Sequence, residues 1–424
     1  MIQVLSSSWA LLLGMMLLMV GNGVQGTLLG IRGGLEGFGT FEMSIVMSGY
    51  FVGFLGGSRM APLMIRRVGH VRVFAALGSF ISAVLILYPT FADPWIWTLE
   101  RVVIGFCFSG VYVTAESWLN HAASNENRGK ALSLYLIVQM VGIIAAQGLL
   151  VLADPAGFIL FIVPSVLVSI AFAPILLSVS PTPAFERTKG MSLKELFRIS
   201  PLGCVGLFVL GGVFSAQFGM AAVFGTESGL SVAQISIFVS AIYVGGVVLQ
   251  YPIGWMSDRM DRRALILMVT GLGGLAAALP LLVPGSFQIL LITAFVIGGT
   301  SNPLYALLIA YVNDFLELDD MAAASAGLIF INGIGAIAGP VVTGWAMGLL
   351  GPNGFFAFIG ILMIGLLIYG LWRSTRRAAP SIEDTGDYVA ISPSASPVAV
   401  DMAQEVYIET ASEDTDETAT SGGQ

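Results

Sequence analysis

Three residues able to do chemistry, with a glycine and a phenylalanine between them, share one face of a single helix. Arg101, Gly105, Phe108, Tyr112 and Glu116 follow one another at i, i+4, i+7, i+11 and i+15, a spacing that keeps them on one side. The run around them is apolar, and a charge at membrane depth costs about 2.5–3.5 kcal/mol even on the lower scale, so both ionisable groups are candidates for function. They do not neutralise each other, because fifteen residues at about 1.5 Å rise set them roughly 22 Å apart. Arg101 reads either as a side chain snorkelling outwards beside Trp95 and Trp97 or as an anion or proton-relay contact inside the bundle. For Glu116 the structural reading is a gate network with Arg66, Arg67 or Arg128, and the alternative is a protonatable coupling site.

A second set is uncharged. Asn22, Gln25, Gln139, Gln217, Asn302 and Asn332 each lie deep in an apolar run. An amide offers donors and acceptors without the penalty of burying a charge, so each is either a ligand contact or an interhelical hydrogen bond. Enzyme chemistry has no foothold. Cys107 and Cys204 are far apart in apolar runs, His70 and His121 have no metal-ligand spacing, and no nucleophile elbow or phosphate-binding loop occurs. No catalytic residue, metal, cofactor or nucleic-acid partner is expected.

The elements that must position these residues are membrane spans. The 424 residues are 56% apolar and 10% charged, with 52 glycines, more apolar residue than a soluble domain hides. Twelve apolar runs are long enough to cross about 30 Å of hydrocarbon as helix: 8–30, 42–65, 72–91, 96–119, 130–152, 156–178, 202–225, 232–255, 264–284, 287–312, 324–349 and 354–373. Loop charge tests the count. With the amino terminus inside, the basic residues sort to the cytoplasmic side, Arg66, Arg67, Arg128, Arg259, Arg262 and Arg263 among them, and only Arg32 and Arg101 lie towards the outside. The first run lacks a basic n-region and a cleavage site, and reads as an uncleaved span.

The predicted organisation is an amino-terminal six-helix bundle (1–178), a linker (179–201), a second six-helix bundle (202–375) and a tail (376–424). In the linker, Ser192 and Glu195 have capping-box spacing and predict a short interfacial helix. From Ala378 onwards there are ten acids and no Lys or Arg, a composition that predicts disorder. Sliding the second half over the first by 193 residues pairs Tyr50 with Tyr243, Gly53 with Gly246, Gly105 with Gly298, Tyr112 with Tyr305, Asn120 with Asn313 and Gln139 with Asn332. Parallel repeats of this kind place a ligand site between the halves near the bilayer midplane. That adds Tyr112, Tyr243 and Tyr305 to the candidates, and it predicts that Gln139 and Asn332 share a cavity with Asn22 and Gln25.

Motifs then narrow the class. Gly254-Trp-Met-Ser-Asp258-Arg259-Met-Asp261-Arg262-Arg263 resembles the signature loop of the major facilitator superfamily, with Asp261 in place of a usual glycine. The matching loop after the second span keeps Arg66, Arg67 and Arg72 but lacks the acid. Arg101-Val-Val-Ile-Gly105 is similar to the family's second motif. Gly335-Ala-Ile-Ala-Gly339-Pro340 looks like the glycine-proline motif that antiporters carry on helix 5, here displaced to helix 11. Glu116-Ser-Trp-Leu-Asn120 with Arg67-Val-Gly-His70 is most like a poorly characterised bacterial branch.

The resemblance implies an all-α membrane protein of two pseudo-repeated six-helix bundles, monomeric, in the bacterial inner membrane with both termini cytoplasmic. It implies alternating access for a small organic solute, with protons as coupling ion. Multidrug or metabolite efflux is one alternative, and a non-transporting sensor or assembly factor with the tail as effector is another. Asp258, beside Arg259, Arg262 and Arg263, is expected to hold the inward gate rather than to touch substrate.

Overall fold

The protein is described here by a computed structural model covering residues 2–124, 127–177, 191–376, 385–386 and 388–408. Helices run in the order α1 Ile2–Leu35, α2 Thr40–Val68, α3 His70–Leu87, α4 Pro94–Ala122, α5 Arg128–Leu150, α6 Ile159–Leu177, α7 Leu193–Ile199, α8 Pro201–Ser215, α9 Ala221–Glu227, α10 Val232–Ser257, α11 Arg262–Leu282, α12 Phe287–Asn313, α13 Leu318–Leu350 and α14 Gly354–Ser374. A π turn over Ala216–Met220 joins α8 to α9, so among the described residues the long helices make twelve spans in two six-helix bundles. Large apolar side chains face outwards, among them Phe80, Ile361 and Ile368, as they must where lipid is the solvent.

Local sequence explains the boundaries. Asp93 caps α4 through Trp95 and Ile96, with Pro94 at the first helical position where its missing N–H is no loss. Ser231 and Gln234 form a capping box on α10. Asp261, the departure from the family's glycine, caps α11 by accepting from the Ala264 N–H at 3.1 Å. In the linker, Ser192 accepts from the Glu195 N–H and starts the expected short helix α7, whereas Pro181, Pro183, Arg187 and Lys189 lie outside the described residues.

The repeat is visible as a shared mode of helix crossing. A Cβ built on Gly105 of α4 would lie 1.9 Å from the Tyr50 carbonyl oxygen of α2, and one on Gly53 would lie 1.9 Å from that of Val102. In the second bundle Gly298 of α12 meets the Ile242 carbonyl of α10, and Gly245 meets that of Phe295, again at 1.9 Å. Only glycine admits backbones this close. The second crossing is built on Gly245 rather than on Gly246, the residue that the offset pairs with Gly53, and Gly246 instead faces the Asn302 side chain.

The two bundles meet at the end away from the basic loops. There Thr40 donates to Glu227 at 2.9 Å, Ser48 to the Ile337 carbonyl at 2.7 Å and Thr226 to the Gly30 carbonyl at 3.4 Å. At the basic end the space between α4 and α5 on one side and α10, α12 and α13 on the other is occupied by residues 388–408, of which 397–408 are helical. These residues, expected to be disordered from their composition, are packed: Ser396, Val400 and Met402 are fully buried. The physical reason is that 388–400 carry no charge at all, so the acidic composition of the whole tail misrepresents this stretch.

Candidate functional site

Where the bundles face each other at mid-depth, α1, α2, α4, α5, α8, the π turn, α10, α12 and α13 enclose a cavity. Its amides are Asn22, Gln139, Asn302 and Asn332, its phenols Tyr50, Tyr112 and Tyr243, and its apolar rings Phe51, Phe54, Phe214 and Phe218. The rings come in i, i+4 pairs, Tyr50 with Phe54 and Phe214 with Phe218, each pair stacked at a centroid distance of 6.0 Å. Tyr50 also lies 5.2 Å from Phe218, so the aromatic wall continues from one bundle to the other. No Asp, Glu, Lys, Arg or His is among the described lining residues.

The polar groups are tied from one side and open on the other. The Asn22 amide donates to the Tyr50 and Tyr112 hydroxyls at 3.4 and 3.3 Å, while its carbonyl oxygen is buried without a hydrogen-bond partner. Asn332 donates to the Pro393 carbonyl at 3.3 Å, and its own Oδ1 is likewise buried and unpartnered. A buried acceptor left unsatisfied costs roughly 1–3 kcal/mol, so both oxygens are places where a solute hydroxyl or amide gains by binding.

Of the ten predicted contact residues, Asn22, Tyr112, Gln139, Tyr243, Asn302 and Asn332 line the cavity. The other four do not. Gln25 donates to the Tyr88 hydroxyl at 3.4 Å inside the first bundle, so its expected place beside Asn22 in the cavity is corrected. Gln217 exchanges hydrogen bonds with Ser301 at 3.0 and 3.2 Å, an interhelical tie created by the π turn. Tyr305 is buried within the second bundle. Arg101 is also away from the cavity, and its snorkelling alternative is corrected: it is wholly buried, with Nη2 3.4 Å from the Met47 sulfur and the guanidinium 4.9 Å above the Tyr50 ring. Its Nε and Nη1 have no partner.

Sequence reasoning missed the rings Phe51, Phe54, Phe214 and Phe218 as lining, because aromatic residues in an apolar run read equally well as lipid-facing. The repeat match at Tyr50 was the one signal pointing to that wall. It missed Ser392, Pro393, Ser394 and Ala395 as well, which close the cavity from the basic end.

The charge network differs from the expectation. Glu116 is fully buried and accepts from the Tyr135 hydroxyl at 3.2 Å and the Ser396 N–H at 3.1 Å. Arg66 and Arg67 are exposed, and Arg128 meets Glu405 of the tail at 3.1 Å. Glu116 is therefore turned to the tail and not to these arginines, and Arg128 is engaged by the tail instead. On the signature loop, Asp258 accepts the Tyr388 N–H at 2.9 Å and Arg259 lies 4.5 Å over the Trp255 ring. Arg262 pairs with Asp314 at 2.5 Å, both side chains being almost wholly buried, and donates to the Gly386 carbonyl at 2.6 Å. Arg263 is buried beside them.

Comparison with known proteins agrees with this architecture. A family model described as the Major Facilitator Superfamily matches residues 11–227 and 202–397. A relative in Escherichia coli strain UMN026, described as the uncharacterized MFS-type transporter YcaD, is 26% identical over 368 residues, covering 84% of this chain and 94% of that protein. Another uncharacterized MFS-type transporter, from Enterobacter sp. strain 638, is 26% identical over 364 residues, with the same coverage of both chains. Among solved structures, a mutant of the nucleoside transporter NupG superposes with a TM-score of 0.75 at 14% identity, covering 86% of this chain and 99% of that one. With its crossings, signature loop and two matched halves, the chain belongs to the major facilitator superfamily.

Proposed function

We propose that the protein is a secondary active transporter that moves a small, uncharged polar solute with a flat or apolar face across the bacterial inner membrane by alternating access. The observation that carries this reading is the cavity between the bundles: aromatic walls, four amides, and no charged side chain among its described lining residues. Such a lining gives a charged solute no counter-ion and a neutral one both stacking surface and hydrogen bonds. The NupG likeness, at 14% identity, lends the fold and no substrate. The sorting of the basic loops supports a reading in which the tail-filled end and both termini face the cytoplasm, and we propose that the protein works as a monomer.

Coupling to protons is supported by two buried ionisable groups on one face of α4, Arg101 and Glu116, with unpartnered nitrogens on the arginine. A thermal-shift screen of neutral against charged solutes tests the substrate class. A ligand at a hundred times its Kd stabilises by about 2.7 kcal/mol, so neutral heterocycles or polyols should raise the melting temperature by several degrees, and Asn22→Ala should remove the effect. Stabilisation by charged solutes alone would overturn the reading. The tail lodged at the site favours a sensor as the second reading, and uptake after deletion of Ala378–Gln424 decides between the two: a transporter keeps moving its solute, while a sensor never moves one.

A further inference from the structure

The stretch from Tyr388 to Val400 is thirteen residues without a charge, inside a tail otherwise rich in acids, and it occupies the part of the cavity a solute needs. With it in place the cavity volume is about 50 Å³, against several hundred for an ordinary ligand site. The fit is specific along the whole segment. The Tyr388 ring rests where Gly254 has no side chain, a Cβ there coming within 2.7 Å of the ring. Its hydroxyl is hydrogen-bonded by Gln250, and Asp258 takes its N–H. Deeper in, Asn332 binds the Pro393 carbonyl and Glu116 the Ser396 N–H. At the rim, Gln404 donates to Asn313 at 3.1 Å, Tyr407 to Asp314 at 3.2 Å and Ser325 to Asp401 at 2.6 Å, and Arg128 pairs with Glu405.

We propose that residues 388–408 are a built-in inhibitory ligand, a plug that holds the molecule in the state open at its basic end until it leaves. This rests on the transporter reading above and adds a regulator to the same cavity. The plug is anchored to α4 and α5 of one bundle and to α10, α12 and α13 of the other. Alternating access brings those helix ends together, and the space between them then no longer exists for the tail. A ligand that fits one state only shifts the equilibrium towards it by its whole differential affinity. Competition with solute follows separately, since Ser392, Pro393, Ser394 and Ala395 of the plug fill part of the same cavity and Pro393 engages the same Asn332 side chain whose free oxygen faces a solute.

The test uses thiol accessibility, which needs no known substrate. In a background with Cys107 and Cys204 replaced by Ala, Gln139→Cys is labelled with an impermeant maleimide from the basic side. The intact chain should react slowly, and adding Gly254→Val, which takes the seat of Tyr388, should raise the rate at least tenfold. A synthetic peptide of residues 385–408 should bring the fast rate of a chain ending at residue 377 back down. Separately, Ser325→Cys with Asp401→Cys in the full chain should form a disulfide on mild oxidation. Equal labelling in the presence and absence of the tail seat, or failure of that pair to cross-link in a folded full chain, would overturn the plug. A protein that shows these effects and yet moves no solute would sink the transporter reading and leave the plug standing.

Discussion

Asn332 carries two kinds of information at once, since its amide holds the Pro393 carbonyl and its own oxygen has no partner. Asn332→Ala should therefore weaken solute binding and loosen the tail together, whereas Asn22→Ala, at a side chain that donates to Tyr50 and Tyr112 within the first bundle, should weaken solute alone. Measuring the solute-induced thermal shift and the labelling of Gln139→Cys in the two variants separates the roles. The Arg262–Asp314 pair acts on stability. Its side chains are 2% and 1% exposed, and removing one partner of a buried pair leaves an uncompensated charge worth about 3–5 kcal/mol. Asp314→Ala should lower the melting temperature markedly, and a wild-type value would mean that solvent reaches the site. The tail titrates too. Burial, opposed by the Ser325 hydroxyl and reinforced by Glu405, raises Asp401 to about 7, above the roughly 3.9 of a free aspartate. Docking thus takes up a proton: it is strongest at low pH, weakens as pH climbs from about 4 to 7 and is flat above. Labelling of Gln139→Cys should speed up between pH 5.5 and 7.5, and Asp401→Asn should remove the portion of that slope due to Asp401, with Glu405 and its partner Arg128 left in place. An unchanged slope in the variant would show that another group is responsible.

At the scale of helices, the crossings of α2 with α4 and of α10 with α12 depend on missing side chains. A Cβ at Gly105 would sit 1.9 Å from a carbonyl oxygen, a contact relieved only by moving a backbone. Gly105→Val should abolish a monodisperse peak in size-exclusion chromatography, while Gly148→Ala, with nothing within 4 Å of the new carbon, should leave it unchanged. The twelve spans, the α7 cap and the paired glycines Gly105 and Gly298 were legible in the chain, because span length, capping boxes and a constant 193-residue offset are local or periodic signals; the other crossing glycine of the second bundle, Gly245, lies one residue off that offset. The π turn at Ala216–Met220 was not legible, since one extra residue per turn leaves no mark on an apolar run. Nor was the docked tail: its seat is made of Gly254, Asp258, Asn332 and Glu116, which lie on three different helices and have no sequence relation to residues 385–408. Composition averaged over 376–424 hid the neutral window that fits there.

Taken whole, the molecule is closed at one end by hydrogen bonds between the bundles, such as Ser48 to Ile337 at 2.7 Å, and filled at the other by its own tail. The orientation that places the tail in the cytoplasm predicts that a cysteine at Thr385 resists impermeant reagents in intact cells and reacts in inverted vesicles. The reverse pattern would invert the topology. The larger claim is that one cavity is presented alternately to the two sides of the membrane. Its direct measurement is the labelling of Gln139→Cys in the otherwise cysteine-free chain ending at residue 377, from each face of the membrane in turn. Alternating access predicts that the same residue is modified from both sides, and that cross-linking α1 to α9 at the closed end blocks the outer reaction while sparing the inner one. Modification from the basic side alone, unchanged by that cross-link, would contradict the account.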